Sequence, residues 1–139
     1  MKIDPRIKVY GDLSYRNKKC LTEMSEQITF VNQVRKHNPN TLLVHVKNEG
    51  KRTLQQAQLD KANGMQNGTS DIIIPGNPSF VCELKREDHT LCTWQDGQEA
   101  YLIEAQEQGC FSCVAFGWKA AMQAYADWCE ITLANNKDE

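Results

Sequence analysis

Residues 71–85 read DIIIPGNPSFVCELK, and no other part of the chain narrows its fold as far. Two short runs rich in Ile, Val and Phe flank the turn formers PGNP, a pattern that predicts two strands joined as a hairpin. Yet these strands carry Asp71, Glu83 and Lys85, and a buried charge is costly unless it is paired or binds a metal. Alternation along SFVCELK sends Phe80, Cys82 and Leu84 to one face and Val81, Glu83 and Lys85 to the other, while Asp71 shares a face with Ile73. A register that brings the charged faces together would gather two carboxylates and an ammonium. Close carboxylates resist joint ionisation unless a divalent cation lies between them. Oxygen ligands suit a hard ion such as Mg2+, and Lys85 would then point at what that ion binds, most simply a phosphate. Sharing requires the paired residue numbers to sum to an even value, as with Asp71 opposite Glu83. A two-residue loop would set Asp71 opposite Cys82 and part the carboxylates. The plainer alternative has Asp71 capping a turn and Glu83 and Lys85 on an exposed sheet face.

The rest of the chain alternates helical and strand signals. In TEMSEQITFVNQVRKHNP, Met24, Ile28, Val31 and Arg35 mark one helical stripe that Pro39 ends. TLLVHVK reads as a strand, and a short helix over TLQQAQLDKAN stops at Gly64. After the hairpin, a helix over DGQEAYLIEAQEQ opens with a capping-box pattern at Asp96 and Glu99 and closes at Gly109. The strand FSCVAF follows, then a helix with Trp118, Ala121, Met122, Tyr125 and Trp128 at core spacing, and a polar tail, NNKDE, expected to fray. The order αβββαβ, with helices available to cover a small mixed sheet, predicts an α/β sandwich.

A length of 139 residues with 40% hydrophobic and 24% charged residues suits one domain, 1–139, able to bury a core. No apolar run approaches the roughly 18 to 20 residues of a membrane span, so neither a signal peptide nor a membrane helix is expected, and a cytoplasmic location is. The six cysteines, at 20, 82, 92, 110, 113 and 129, fall mostly in apolar segments and read as reduced core thiols. CFSC at 110–113 lies in a strand-like run, where residues three apart face opposite sides. A zinc cluster using Cys82, His89 and Cys92 lacks the usual paired knuckles. Residues 1–66 hold 12 Lys and Arg against 6 Asp and Glu, a net of +6, and residues 67–139 hold 4 against 12, a net of −8. An acidic protein with pI 5.9 therefore has room for a basic face.

At the strand pair, the sequence resembles the VRR-NUC family of the PD-(D/E)XK nuclease superfamily. Its glycine-rich stretch before the aspartate corresponds to GMQNGTSDI, with Gly64, Gly68 and Asp71 in step, and its E-x-K to ELK. Upstream, SEQITFVNQVRK resembles the first-helix Glu-Gln motif, with Glu26 as the acidic residue, and KNEGKRT resembles the basic segment before the glycines. Downstream, Gln98 lies eleven residues before Gly109, and FGWKAAMQAYADW resembles the closing strand and helix. The resemblance runs from about residue 25 to 129, leaving 1–20 as an N-terminal extension and 134–139 as a tail. Ser70 stands where the family usually has proline, and REDHTLCTW between Lys85 and Gln98 is less typical.

The resemblance implies a restriction-endonuclease-like core and a metal-dependent endonuclease. Asp71 and Glu83 would bind Mg2+ or Mn2+ with the main-chain carbonyl of Leu84, and with Glu26 directly or through water. Lys85 would orient the attacking water or offset phosphoryl charge, and Gln98 would fix the nucleophile or Lys85. For Glu26 a solvated place in the first turn, and for Gln98 a satisfied buried amide, are the alternatives. Lys47, Lys51, Arg52 and Lys61 are candidates for contacts to the DNA backbone. Trp94 and Trp118 suit base stacking or packing. Short stand-alone members of phage and bacterial type imply branched DNA as partner and homodimers that resolve four-way junctions. A restriction-type nuclease cutting plain duplex or a specific sequence, and a non-catalytic nucleic-acid-binding module, are the alternatives.

Overall fold

The structure is a computed structural model that describes residues 2–46, 54–62 and 70–137. Its strands are β1 (Lys8–Tyr10), β2 (Val44–His45), β3 (Ile72–Ile74), β4 (Phe80–Lys85) and β5 (Phe111–Phe116). Its helices are α1 (Glu23–His37), α2 (Leu54–Ala62), α3 (Gln98–Glu107) and α4 (Trp118–Lys137). The five strands form one mixed sheet in the order β1-β5-β4-β3-β2. β5 runs parallel to both β1 and β4, while β3 pairs antiparallel with β4 and with β2. The expected mixed sheet flanked by helices is present, with α3 as the crossover that a parallel β4–β5 pair requires.

Every residue of β4 and β5 is buried, because helices cover both faces of the sheet. On one face, Phe30 and Val34 of α1 and Ala121, Ala124, Tyr125 and Trp128 of α4 pack on Phe80, Cys82, Leu84, Phe111, Cys113 and Ala115. Phe80 stacks on Phe111 at 5.8 Å between centroids and meets the edge of Tyr125 at 6.3 Å. Leu102 of α3 covers the other face against Val81, Val114 and Phe116. The hairpin turn is anchored to α4, where Trp128 Nε1 donates to the Pro78 carbonyl at 2.7 Å. Gly76 permits that approach, since a Cβ there would lie 2.9 Å from Trp128 Cζ2. All six cysteines are free, with Cys82 and Cys113 side by side in the sheet core and Cys92 packed on its opposite face.

Several elements differ from the sequence expectation. The stripe through Met24, Ile28, Val31 and Arg35 is not the buried one: Met24 is 67% and Ile28 53% exposed, and α1 turns Glu26, Gln27, Phe30 and Val34 inward. Phe30 and Val34 fill the space between β4 and α4, and that rotation carries polar residues of the first turns toward the end of the sheet. Residues 8–10, within the stretch expected as an N-terminal extension, form an edge strand. Tyr10 donates to Asp127 at 2.7 Å, and the Asn17 amide donates to Asp88 at 2.8 Å. Arg86 holds the carbonyls of Leu21 and Cys20, both at 3.0 Å, so the atypical segment after Lys85 serves to dock the N-terminal segment. The predicted strand TLLVHVK shortens to Val44–His45. α3 opens after Gly97 with no side-chain cap, so Asp96 makes no capping box. Asn135 and Asn136 belong to α4, where Asn135 donates to the Asn77 carbonyl at 2.9 Å.

The rotation of α1 is open to measurement by urea denaturation. Phe30→Ala should cost about 3 to 5 kcal/mol, whereas Ile28→Ala should stay within about 0.5 kcal/mol of the parent. Equal costs would place the stripe through Ile28 in the core.

Candidate metal centre

The hairpin pairs Ile72 with Cys82, Ile73 with Val81 and Ile74 with Phe80, a register in which each pair sums to 154. Extended by one step, it sets Asp71 opposite Glu83 on the face that bears Lys85, which is the geometry a shared ion requires. At that step the ladder ends. The Leu84 amide donates to Asp71 Oδ2 at 3.1 Å, while the Asp71 carbonyl accepts from the Val46 amide at 2.7 Å. The carbonyls of Ser79 and Lys85 accept from β5 residues Phe111 and from Gly117, at 2.8 and 2.9 Å, so alternation turns the Leu84 carbonyl toward β3 and Asp71.

Three carboxylates meet here. One oxygen each from Glu23, Asp71 and Glu83 lie within 4.8 Å of one another, the one such acidic group among the described residues. Glu83 is fully buried, and neither of its oxygens accepts a hydrogen bond, although Lys85 Nζ lies 3.3 Å from Oε1. Lys85 is 1% exposed; its ammonium donates to the Thr93 carbonyl at 2.6 Å and to Gln98 Oε1 at 2.9 Å, with Glu23 at 3.7 Å and the Trp94 ring centroid at 4.8 Å. Gln98 Oε1 also accepts from the Gln95 amide at 2.8 Å, which locks the amide that receives Lys85. The cluster opens into a groove of about 650 Å³ between α1, the end of β2 and the segment 93–98.

Glu26, expected among the ligands, lies elsewhere. Its Oε2 accepts from the Trp118 amide at 2.7 Å and so satisfies the first turn of α4. Gly117 makes room for it, with φ +95° and Glu26 Oε2 only 3.0 Å from where a Cβ would stand. Glu23, one turn earlier on α1, is the helix carboxylate that lies beside Asp71 and Glu83. Its signal was an acidic residue three positions before the Glu-Gln pair, on the same helical face. Lys47, Lys51 and Arg52, with Gly64 and Gly68, lie outside the described residues, and Lys61 is known only by its place in α2.

Burial pushes the Glu83 carboxyl up to about 9, with the Asp71 charge adding to the rise and Lys85 opposing it. Burial also raises Asp71 and Glu23. Two buried carboxylate oxygens without donors, a second carboxylate opposite and a third beside them fit a hard divalent cation.

The comparisons with known proteins concern the fold. No family model matches the sequence, and no curated protein matches it. A solved structure described as a VRR_NUC domain protein superposes with a TM-score of 0.62 at 17% sequence identity, covering 81% of this chain and 91% of that one. The chain thus has the fold of that VRR_NUC domain protein. Among the described residues no helix is long and apolar enough to cross a membrane.

The raised carboxylates give the metal-free protein a pH signature. A carboxyl whose pKa is raised on folding binds its proton more tightly in the native chain, so its stabilising effect is full below the ordinary value of 4.5 and is lost as pH rises through about 9. Melting temperature in EDTA should therefore fall across that range, and Mg2+ or Mn2+ should raise it most at the alkaline end. Glu83→Gln should flatten the slope and weaken the metal effect; an unchanged slope would assign it to other groups.

Proposed function

We propose that this protein is a metal-dependent nuclease hydrolysing phosphodiester bonds in DNA, selective for branched substrates and acting on four-way junctions as a homodimer. The observation that carries the reading is the convergence of Glu23, Asp71 and Glu83 within 4.8 Å beside the buried ammonium of Lys85. Its support from the fold is the likeness to a VRR_NUC domain protein.

Asp71, Glu83 and Glu23, with the Leu84 carbonyl, would hold Mg2+ or Mn2+. A cation bound there polarises a phosphoryl oxygen and lowers the pKa of a bound water. Thr93 and Gln98 take two of the three N–H bonds of Lys85 and aim the third into the cluster, where the ammonium offsets charge building on the phosphoryl oxygens. Gln98 is thus a positioning residue, and Glu26 acts on the site by holding the start of α4. Lys47, Lys51, Arg52 and Lys61 are proposed to contact the DNA backbone without reading sequence. Symmetric cutting of a four-way junction needs two sites, and a two-fold axis supplies the second with no further residues.

Cleavage across flaps, forks, four-way junctions and plain duplex, with Mg2+ or Mn2+, tests the reading. Lys85→Ala should lower cleavage on the order of 100-fold, as expected for one group stabilising transition-state charge, in a protein that still unfolds cooperatively. Full activity of this variant, or of the parent in excess EDTA, would overturn the mechanism. Efficient cutting of plain duplex would remove the branch selectivity, and paired cuts by a 15.9 kDa monomer would remove the dimer.

The two glutamates separate by different readouts. Glu23→Gln should weaken Mg2+ binding in calorimetric titration, whereas Glu26→Ala should leave metal affinity near that of the parent and cost about 1 kcal/mol of stability, the usual loss of a helix cap. The reverse pattern would return Glu26 to the ligand set.

A further inference from the structure

Met24 and Ile28 lie one turn apart on α1, 67% and 53% exposed, in a position where an amphipathic helix ordinarily carries polar residues. Both line the groove that holds Glu23, Asp71 and Lys85. The groove that holds the acidic cluster therefore has an apolar stretch on its α1 side. The same side of α1 continues to Arg35, which is exposed, with Lys36 and His37 beside it in the last turn. Eleven residues at about 1.5 Å each put Arg35 roughly 16 Å along the helix from Met24.

This order of acidic cluster, apolar wall and basic turn matches a particular form of nucleic acid. A continuous duplex keeps its bases stacked inside and presents charged backbone to a groove, so an apolar wall gains little from it. An unstacked base has two apolar faces to bury, and Met and Ile are among the side chains that wedge at opened base steps. A strand leaving the cluster along α1 meets the cationic end of the helix next, where its phosphates are neutralised.

Resting on the nuclease reading, we propose that Met24 and Ile28 select the substrate by packing on an unpaired, unstacked base next to the phosphate at the acidic cluster, with the strand continuing along α1 to Arg35. Unpaired nucleotides at a branch point or gap are then the recognised feature, and an intact duplex is the disfavoured one.

The test is binding in the Lys85→Ala background with Mg2+, which separates recognition from cleavage. Two probes carry 2-aminopurine at the same position, one in a gap flanked by duplex and one in continuous duplex. The Lys85→Ala protein should bind the gapped probe more tightly, with a rise in fluorescence as the base leaves the stack. Adding Met24→Ser and Ile28→Ser, both at exposed positions, should reduce the preference for the gapped probe at least tenfold. Arg35→Gln should weaken the gapped probe a few-fold and lessen its salt dependence. An unchanged preference, no binding of either probe, or a serine pair that instead dissociates a dimer in sedimentation would overturn the proposal, the last marking a contact between copies. Gap-selective binding by a parent protein that cleaves nothing would uphold this inference while removing the nuclease reading.

Discussion

Two ionisable side chains, Glu83 and Lys85, are buried side by side on one face of β4, and much of the surrounding architecture answers the cost of putting them there. Desolvating an ion costs several kcal/mol, and attraction to a neighbouring group repays this only if the remaining hydrogen-bonding capacity is met. For Lys85 it is met by the Thr93 carbonyl and the Gln98 amide, which requires the segment after β4 to fold back over the strand end. Within that segment, Arg86 and Asp88 bind the N-terminal residues. Glu83 receives no comparable help, since neither of its oxygens is in a hydrogen bond although Lys85 Nζ lies 3.3 Å from Oε1. The asymmetry is chemical: the lysine has two protein acceptors, and the glutamate has no hydrogen-bond partner.

Much of this was legible in the sequence. The hairpin, β5 and α4 obey plain periodicities, and the five residues between β3 and β4 give the odd-numbered loop that brings Asp71 and Glu83 to one face. Gln98, singled out through a family resemblance, accepts a hydrogen bond from Lys85. Glu23 was missed for a geometric reason. It and Glu26 stand one turn apart on the same side of α1, and spacing within the helix does not reveal which turn lies beside the end of the strands. The α1 stripe misleads because apolarity does not by itself mean burial. Here the inward face is partly polar, since it borders the acidic cluster, while Met24 and Ile28 lie outside. β1 gave almost no local signal, because KVY becomes a strand only through its pairing with β5.

That pairing has a consequence for how the protein is made. Lys8 pairs with Cys113, 105 positions further on, and Tyr10 is bound still later to Asp127 of α4. The segment around Lys8 thus waits through the 105 positions that separate it from Cys113 before it gains a partner, and contacts of such long range form slowly. Until then β5, or the nascent sheet without it, presents unpaired N–H and C=O groups along one side, a template for other chains. A folded molecule and one stalled before residue 111 differ in which strand forms that edge, the three-residue β1 or the six-residue β4, so synthesis itself carries a window in which the longer edge is exposed.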